Sequence, residues 1–339
     1  MTSKLYKNYA DQVATYLKEG KRGTIQKSNN YSGLNGNSAK DILWRDKYMN
    51  ENNFNSLNGL NNISGAKLNY HQKLGAHPDF SYLKDTNTTE HHYITTMFID
   101  IKKSTDLFKK YYPLTVAKIS RTIQDAAIHT CWHFNGYIHR LHGDGLIVYF
   151  GGKDTTIEQS TANACNAAAF FTYFVKNDLR EIFSEIGVER IYTRIGIDTG
   201  EAEDVMWHLA GMGECSEITT CSLHSSLASK MQAQTKSNGI MVGDNVLKYK
   251  KVSEEYFKKM PYESNGTIRD YVFAIPEESF YYRQHEFDWE RYLKNHPAVE
   301  IDENGNLTFK GGNVLPNNNI TQHLPYMQQH VTDYKPSLG

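Results

Sequence analysis

The clearest hydrophobic pattern of the chain lies in residues 93–152. A run of apolar and β-branched residues at 93–101 predicts a buried strand that carries Asp100 near its end. Apolar residues then recur at a four-residue spacing, which predicts one face of a helix over 114–134. The pattern therefore predicts a strand followed by a helix, with an acidic side chain between them.

Two further alternating runs, at 137–141 and 146–150, flank the sequence Gly143-Asp144-Gly145. An Asp-Gly pair between alternating runs predicts a β-hairpin with the aspartate at its tip. We expect this aspartate to lie near Asp100, because a single helix joins the two strands. Two carboxylates without neighbouring thiolates favour a hard cation such as Mg²⁺ or Mn²⁺.

The remaining pattern indicates a mixed architecture. Helices are predicted at 161–183 and 223–234, and strands at 190–198, 239–242 and 271–275. This uneven alternation, with one hairpin, favours an α+β sandwich with a mixed or antiparallel sheet over a doubly wound fold.

The same pattern divides the chain into three parts. Residues 1–90 include Asn-rich stretches and predict a partly helical extension that packs on the main domain. Residues 91–276 hold the main domain. Residues 277–339 are predicted to form a C-terminal extension that ends in a mobile tail.

The composition argues against several classes of protein. The net charge of −1 disfavours a protein that binds nucleic acid or membrane surfaces. The chain has no apolar run of about 18 residues that would span a membrane, and its first residues lack the apolar core of a signal peptide. Its four cysteines show no CxxC spacing, so we expect reduced thiols and a cytoplasmic protein.

Four motifs together resemble the catalytic domain of class III nucleotidyl cyclases, which has a ferredoxin-like palm. The first is Phe98-Ile99-Asp100-Ile101-Lys102-Lys103-Ser104-Thr105, and the second is Gly143-Asp144-Gly145-Leu146-Ile147-Val148-Tyr149-Phe150-Gly151. The third is Arg194-Ile195-Gly196-Ile197-Asp198-Thr199-Gly200, and the fourth is the helical Ala228-Ser229-Lys230-Met231. The resemblance covers residues 93–275, and its specificity comes from the set rather than from any one motif.

The resemblance implies a homodimer with active sites at the subunit interface. Asp100, Asp144 and the carbonyl of Ile101 would hold two Mg²⁺ or Mn²⁺ ions on a nucleoside triphosphate. The ribose 3′-hydroxyl would attack the α-phosphorus in line, and pyrophosphate would leave. The family's phosphate-contacting cation has three candidates here: Lys258, Lys259 and Arg269.

Four positions depart from the purine cyclases of this family. The base-reading Lys of the family corresponds to Arg140, and the Asp of adenylate cyclases corresponds to Thr219. The ribose-orienting Asn corresponds to Ser226, and the transition-state Arg corresponds to Lys230. Lys230 keeps the positive charge without the bidentate fork. Because Arg140 offers only donors, these changes favour a base with carbonyl acceptors, uracil or cytosine.

Tyr93 begins the first strand, and we expect its ring to fill the space of a second base ring and to stack on the base. This combination resembles the bacterial pyrimidine cyclases of the Pycsar antiphage systems, which make cyclic UMP or cyclic CMP as second messengers. Uracil presents two carbonyl acceptors to an arginine, whereas the cytosine amino group needs an acceptor, so the sequence favours UTP over CTP. A mispaired buried polar group costs about 1–3 kcal/mol, which gives a preference and not an absolute choice.

Two alternatives stay open at this point. A purine cyclase that makes cyclic AMP or GMP is disfavoured by Arg140 and Thr219. A cyclase-like module that binds nucleotide without chemistry is disfavoured by Asp100 and Asp144 but favoured by Ser226. A diguanylate cyclase is disfavoured because the chain has no Gly-Gly-(Asp/Glu)-Glu-Phe loop.

Overall fold

The computed structural model describes residues 5–20, 56–64, 72–86, 88–185, 191–303 and 305–310. The predicted mobile tail from residue 311 onward lies outside these ranges. Eight helices of the described residues are α1 (Lys7–Glu19), α2 (Asn61–Ser64), α3 (Pro113–His133), α4 (Ile157–Tyr173), α5 (Leu179–Glu185), α6 (Leu223–Gln234), α7 (Asp244–Lys248) and α8 (Trp289–Lys294). Within the described ranges, no helix is both long enough and apolar enough to cross a membrane.

The strands fall into one large sheet and several small ones. In chain order they are β1 (Glu90–His91), β2 (Ile94–Lys102), β3 (Gly136–His142), β4 (Gly145–Phe150), β5 (Tyr192–Gly200), β6 (Val205–Met212), β7 (Cys215–Ser222), β8 (Gly239–Gly243), β9 (Phe257–Met260), β10 (Tyr262–Ser264), β11 (Thr267–Arg269), β12 (Phe273–Ile275), β13 (Phe280–Tyr282), β14 (Gln284–Phe287), β15 (Val299–Ile301) and β16 (Leu307–Phe309). The large sheet has the order β3-β4-β2-β5-β8-β14-β9. Its neighbours are antiparallel except for the parallel pair β5–β8. The predicted α+β class with a mixed sheet is confirmed.

Strand β2 lies inside the large sheet, and its side chains contact helices on both faces of that sheet. Met97 and Ile99 are buried in the core that α3 and α4 cover. On the other face, the hydroxyl of Thr96 is hydrogen-bonded to that of Ser225 on α6, at 2.8 Å. Successive side chains of a strand point to opposite faces, so a single apolar run supports two helical layers.

Both chain extensions contribute to this core. Helix α4 is buried from Ser160 to its end at Tyr173, and its several alanines let neighbouring elements approach closely. Helix α1 packs on α3, where Tyr9 Oη lies 2.7 Å from His129 Nδ1 and Tyr6 Oη lies 2.8 Å from Thr130 Oγ1. The described part of the N-terminal segment is thus built into the domain.

Residues beyond the predicted domain boundary at 276 also contribute to the large sheet. Strand β14 lies between β8 and β9 in the large sheet, so residues after 276 supply one of its inner strands. Helix α8 follows, and the indole of Trp289 donates to the carbonyl of Asn238 at 2.9 Å. Strand β14 is short and lacks a clear alternation of apolar and polar residues, so the sequence pattern did not predict it.

A smaller sheet of order β1-β6-β7 stands beside the large one. Its anchor is Trp207, which is buried and stacked on Phe80 with ring centroids 4.0 Å apart. The ring of Tyr149, from β4 of the large sheet, meets Trp207 edge-on at 5.5 Å. These aromatic contacts fix β7 relative to β4, and a cleft opens between them.

Four histidines, three of them buried and His129 half-buried, make the stability of this fold depend on pH. Burial lowers the pKa of His129 and His139 to about 3, and that of His77 and His296 to about 4. The unfolded chain binds these protons near pH 6.5, so the free energy of unfolding should decrease as the pH falls from about 7 to about 4. Each histidine contributes up to about 1.4 kcal/mol per pH unit in that window. Urea unfolding at several pH values measures the slope.

A matched pair of variants tests the assignment. His129→Gln should reduce the pH slope by about one proton, because the imidazole is gone. His91→Gln is the matched control, since it makes the same replacement at an exposed position of β1. A free energy of unfolding that stays constant or rises between pH 7 and pH 5 would contradict the prediction.

Candidate active site

The structure brings the two predicted metal-binding aspartates to neighbouring strands. Asp100 lies near the end of β2, and Asp144 lies in the turn between β3 and β4, where Gly143 has a φ of 62°. Strand β4 pairs directly with β2. A Cβ atom at position 145 would lie 2.3 Å from the carbonyl oxygen of Ile99 and 3.4 Å from Cα of Asp100. Only a glycine at 145 lets the hairpin approach β2 this closely.

Each carboxylate has one polar neighbour that holds it in place. Arg194, opposite Asp100 in the β2–β5 ladder, donates through Nε to Asp100 Oδ2 at 3.1 Å and through a second guanidinium nitrogen. Ser104 donates through its hydroxyl to Asp144 Oδ2. The side chain of Asp100 remains 35% exposed. The arginine offsets part of the negative charge of the pair and leaves both carboxylates accessible.

The donor set at this edge of the sheet fits a hard divalent cation. The available ligands are the oxygens of Asp100 and Asp144, with the backbone carbonyl of Ile101 next in the chain. Among the described residues, no cluster of three or more His, Cys, Asp or Glu side chains forms a metal cage. Mg²⁺ sites that act on nucleotides commonly use one or two carboxylates and complete the shell with phosphates and water. The residues present therefore fit a hard divalent ion whose coordination shell is completed by other oxygen ligands.

A cleft of about 850 Å³ gathers the predicted substrate residues. It lies between the face of the large sheet, strand β7 and helix α6. Its lining includes the side chains of Phe98, Arg140, Thr219, Ser226 and Lys230. Four of the five predicted catalytic and substrate-binding residues are thus close together, although they come from β3, β7 and α6.

Thr219 is held by two aromatic residues that the sequence did not single out. The ring of His139 stacks on Tyr149 at 4.4 Å, and His139 Nε2 lies 3.2 Å from Thr219 Oγ1. Tyr149 Oη lies 3.4 Å from the same hydroxyl. Burial lowers the pKa of His139 to about 3, so the ring is neutral at physiological pH. Its Nδ1 atom is buried and has no hydrogen-bond partner among the described residues.

Arg140 follows an irregularity in the β3–β4 ladder and forms an ion pair with Glu217 on β7. Its Nε atom donates to Glu217 Oε2 at 3.1 Å. The sequence prediction missed Glu217, yet a signal was present. Glu217 precedes Thr219 by two residues on the same strand, and this spacing puts both side chains on one face.

Ser226 and Lys230 are one helical turn apart on α6, where the Ser226 hydroxyl donates to the carbonyl of Ser222 at 3.2 Å. Lys230 also borders a smaller pocket of about 410 Å³ that includes Arg269. Lys259 is engaged with Asp270 at 2.8 Å. Of the three candidate phosphate cations, Arg269 is therefore the one that shares a pocket with Lys230.

Tyr93 is not among the residues that line the cleft, so its stacking on a base stays a prediction. Its hydroxyl donates to the carbonyl of Thr155 and lies 3.2 Å from Ser160 Oγ, near the start of α4. Alternation along β2 points this ring away from the face that carries Thr96 and Phe98.

A buried polar network fixes the helix that carries Ser226 and Lys230. Asp198 on β5 has no exposed surface, and it accepts hydrogen bonds from His224 Nδ1 at 3.0 Å and Tyr282 Oη at 2.6 Å. Burial opposes the charge on His224, but the adjacent Asp198 carboxylate outweighs it and raises the pKa of His224. The network joins β5, α6 and β13, so it sets the position of α6 above the sheet.

Residues 86–273 match the family described as the adenylate and guanylate cyclase catalytic domain. With this match over more than half of the chain, the protein belongs to that family. Asp100, Asp144 and the polar cleft therefore lie in a domain of the nucleotidyl cyclase family.

Curated relatives carry a more specific name. The chain is 35% identical over 227 residues to a cytidylate cyclase of Staphylococcus aureus, covering 67% of this chain and 53% of the relative. It is 31% identical over 221 residues to a cytidylate cyclase of Escherichia coli, covering 64% and 48%. The chain thus spans about half the length of the curated relatives that it matches.

Several solved structures of cyclases also resemble this chain, at lower sequence identity than the curated relatives. The adenylyl cyclase CyaB from P. aeruginosa is 17% identical, with a TM-score of 0.48 that covers 59% of this chain and 95% of that chain. The guanylyl cyclase Cya2 is 16% identical, with a TM-score of 0.45 that covers 59% and 92%.

Replacing Tyr93 tests whether this ring acts in base recognition or only in packing near α4. Tyr93→Phe should lower the free energy of unfolding by about 1 kcal/mol, because the hydroxyl loses its partners near α4. The preference among nucleoside triphosphates should stay as in the unmodified chain. Chemical denaturation and competition between triphosphates measure the two effects. A changed base preference with unchanged stability would return Tyr93 to the nucleotide site.

Proposed function

We propose that this chain is the catalytic domain of a pyrimidine nucleotide cyclase that converts CTP into cyclic CMP and pyrophosphate. The proposal rests on one observation: a pair of metal-type carboxylates accompanies a cleft that carries Arg140 and Thr219, in a family member whose relatives are named cytidylate cyclases. UTP is the second candidate substrate. The antiphage signalling role that the sequence resemblance implies stays a prediction.

The preference for CTP revises the preference for UTP drawn from sequence. That argument assumed that Arg140 meets the base with donors only. The ion pair with Glu217 puts a carboxylate acceptor beside those donors, and an acceptor is what the amino group of cytosine needs. The names of the curated relatives point in the same direction.

The residues divide the chemistry between them. Asp100, Asp144 and the Ile101 carbonyl would hold two divalent ions, Mg²⁺ or Mn²⁺. When bound, such ions neutralise charge on the triphosphate and help activate the ribose 3′-hydroxyl. Lys230 would place a positive charge beside the α-phosphate, where negative charge develops. Ser226 would offer one hydroxyl to the ribose, which is a weaker hold than an amide provides.

A complete site calls for two copies of the chain. Within the described residues, the lining of the cleft includes Arg140, Thr219 and Lys230 but neither Asp100 nor Asp144. The reaction needs the carboxylates and the cleft on one substrate molecule. A homodimer would meet this need by joining the carboxylates of one protomer to the cleft of its partner, as the sequence resemblance implies.

The carboxylates give the sharpest test of this function. Asp100→Asn and Asp144→Asn should each lower turnover at least about 100-fold with Mn²⁺ or Mg²⁺, because each removes an anionic ligand from the ions. Asp154→Asn is the matched control, since Asp154 is an exposed carboxylate in the loop after β4. The assay offers ATP, GTP, CTP and UTP separately and identifies the product by mass spectrometry.

Three outcomes would count against the proposal. Turnover that survives in both aspartate variants would remove the carboxylates from the chemistry. Cyclic AMP or cyclic GMP as the main product would make the protein a purine cyclase. Tight nucleotide binding without turnover of any triphosphate would indicate a non-catalytic module.

A further inference from the structure

We infer that Glu217, held by Arg140, reads the exocyclic amino group of cytosine and thereby sets the choice between CTP and UTP. This inference rests on the proposed pyrimidine cyclase function and adds a residue to it. The site it describes is the carboxylate–guanidinium pair at the edge of the cleft, together with the hydroxyl of Thr219.

The position of Glu217 is fixed from two directions. On one side, the segment at Gly75 packs so closely that a Cβ at position 75 would lie 2.7 Å from Cβ of Glu217. The backbone of Ile218 donates to the carbonyl of Gly75 at 2.7 Å and locks this contact. On the other side, Arg140 Nε donates to Glu217 Oε2 at 3.1 Å. A side chain held on both sides can serve as a rigid reading group, because little entropy is lost on binding.

The carboxylate keeps acceptor capacity for a ligand. Two carboxylate oxygens offer about four lone-pair positions, and the Arg140 fork occupies only some of them. His139 Nε2 is 3.8 Å from Glu217 Oε1, and this buried ring stays neutral. Arg140 is therefore the one fully charged partner of Glu217 among the described contacts. The side chain of Glu217 is 22% exposed, so a ligand can reach it.

An isolated ion pair at a protein surface would explain these contacts less well. Exposed pairs of this kind contribute little to stability. Here Arg140 and Thr219 line the cleft, and Glu217, which is not itself a lining residue, pairs with Arg140 and shares a strand face with Thr219. The pair therefore stands where the base is expected, beside a hydroxyl that is itself oriented by His139.

Cytosine and uracil differ at the two atoms that this pair would meet. Cytosine presents an amino donor next to the N3 acceptor, which matches a carboxylate acceptor next to a guanidinium donor. Uracil presents a carbonyl acceptor next to an N3–H donor, so in the same pose its carbonyl would face the carboxylate with no proton between them. Carboxylates accept from the cytosine amino group in nucleic-acid recognition in the same way.

The test compares Glu217→Gln with Glu214→Gln. An amide can either accept from the cytosine amino group or donate to the uracil carbonyl. Glu217→Gln should therefore lower the ratio of kcat/KM for CTP to that for UTP by about 10- to 100-fold, while UTP turnover is kept or rises. Glu214 is exposed in the turn between β6 and β7, and its variant should leave the ratio unchanged. ATP, whose amino group and ring nitrogen have the same order as those of cytosine, is included as a third substrate.

A binding measurement separates this inference from the cyclase function. Calorimetry with 3′-deoxy-CTP and 3′-deoxy-UTP, which cannot cyclise, reports base preference without turnover. If the chain binds the cytidine analogue more tightly and Glu217→Gln removes that difference, the reading role stands even when no product forms. If the preference is the same in Glu217→Gln and the unmodified chain, the reading role is overturned, although cyclase activity can persist. Equal loss of affinity for both analogues would also overturn it, because it would indicate a structural role only.

Discussion

The contact between β2 and β4 at Gly145 is the constraint on which the candidate site depends. It brings the turn with Asp144 against the end of the strand with Asp100, and a side chain at position 145 would push them apart. Arg194 donates to the Asp100 carboxylate and Ser104 to the Asp144 carboxylate. The fold thus brings both acidic side chains, each with a hydrogen-bond donor, to the same edge of the large sheet.

The second half of the site depends on how α6 is held above the sheet. The buried hydrogen bonds of Asp198 to His224 and Tyr282 connect this helix to strands from distant parts of the chain. Removing one partner from such a network leaves a buried polar group unsatisfied, which is expensive. Helix α6 therefore presents Lys230 from a rigid support. Rigid support is what a site needs when it acts mainly by positioning and charge.

The sequence predicted the class of fold and the local settings of the site residues, because these follow from nearby patterns. Strand alternation and the Gly-Asp-Gly turn were enough to bring Asp100 and Asp144 to neighbouring strands. Contacts between residues that are far apart in the sequence could not be predicted from these local patterns. The pairing of Arg140 with Glu217 depends on how the small sheet stands against the large one, and aromatic packing around Trp207 decides that.

The central claim is that the two carboxylates jointly hold a divalent cation on the triphosphate. Anomalous diffraction from crystals grown with Mn²⁺ and 3′-deoxy-CTP tests it directly. The account predicts manganese within about 2–2.6 Å of carboxylate oxygens from both Asp100 and Asp144, with the cytosine ring beside Arg140. Manganese bound at another place on the protein, with Asp100 still paired only to Arg194, would contradict it.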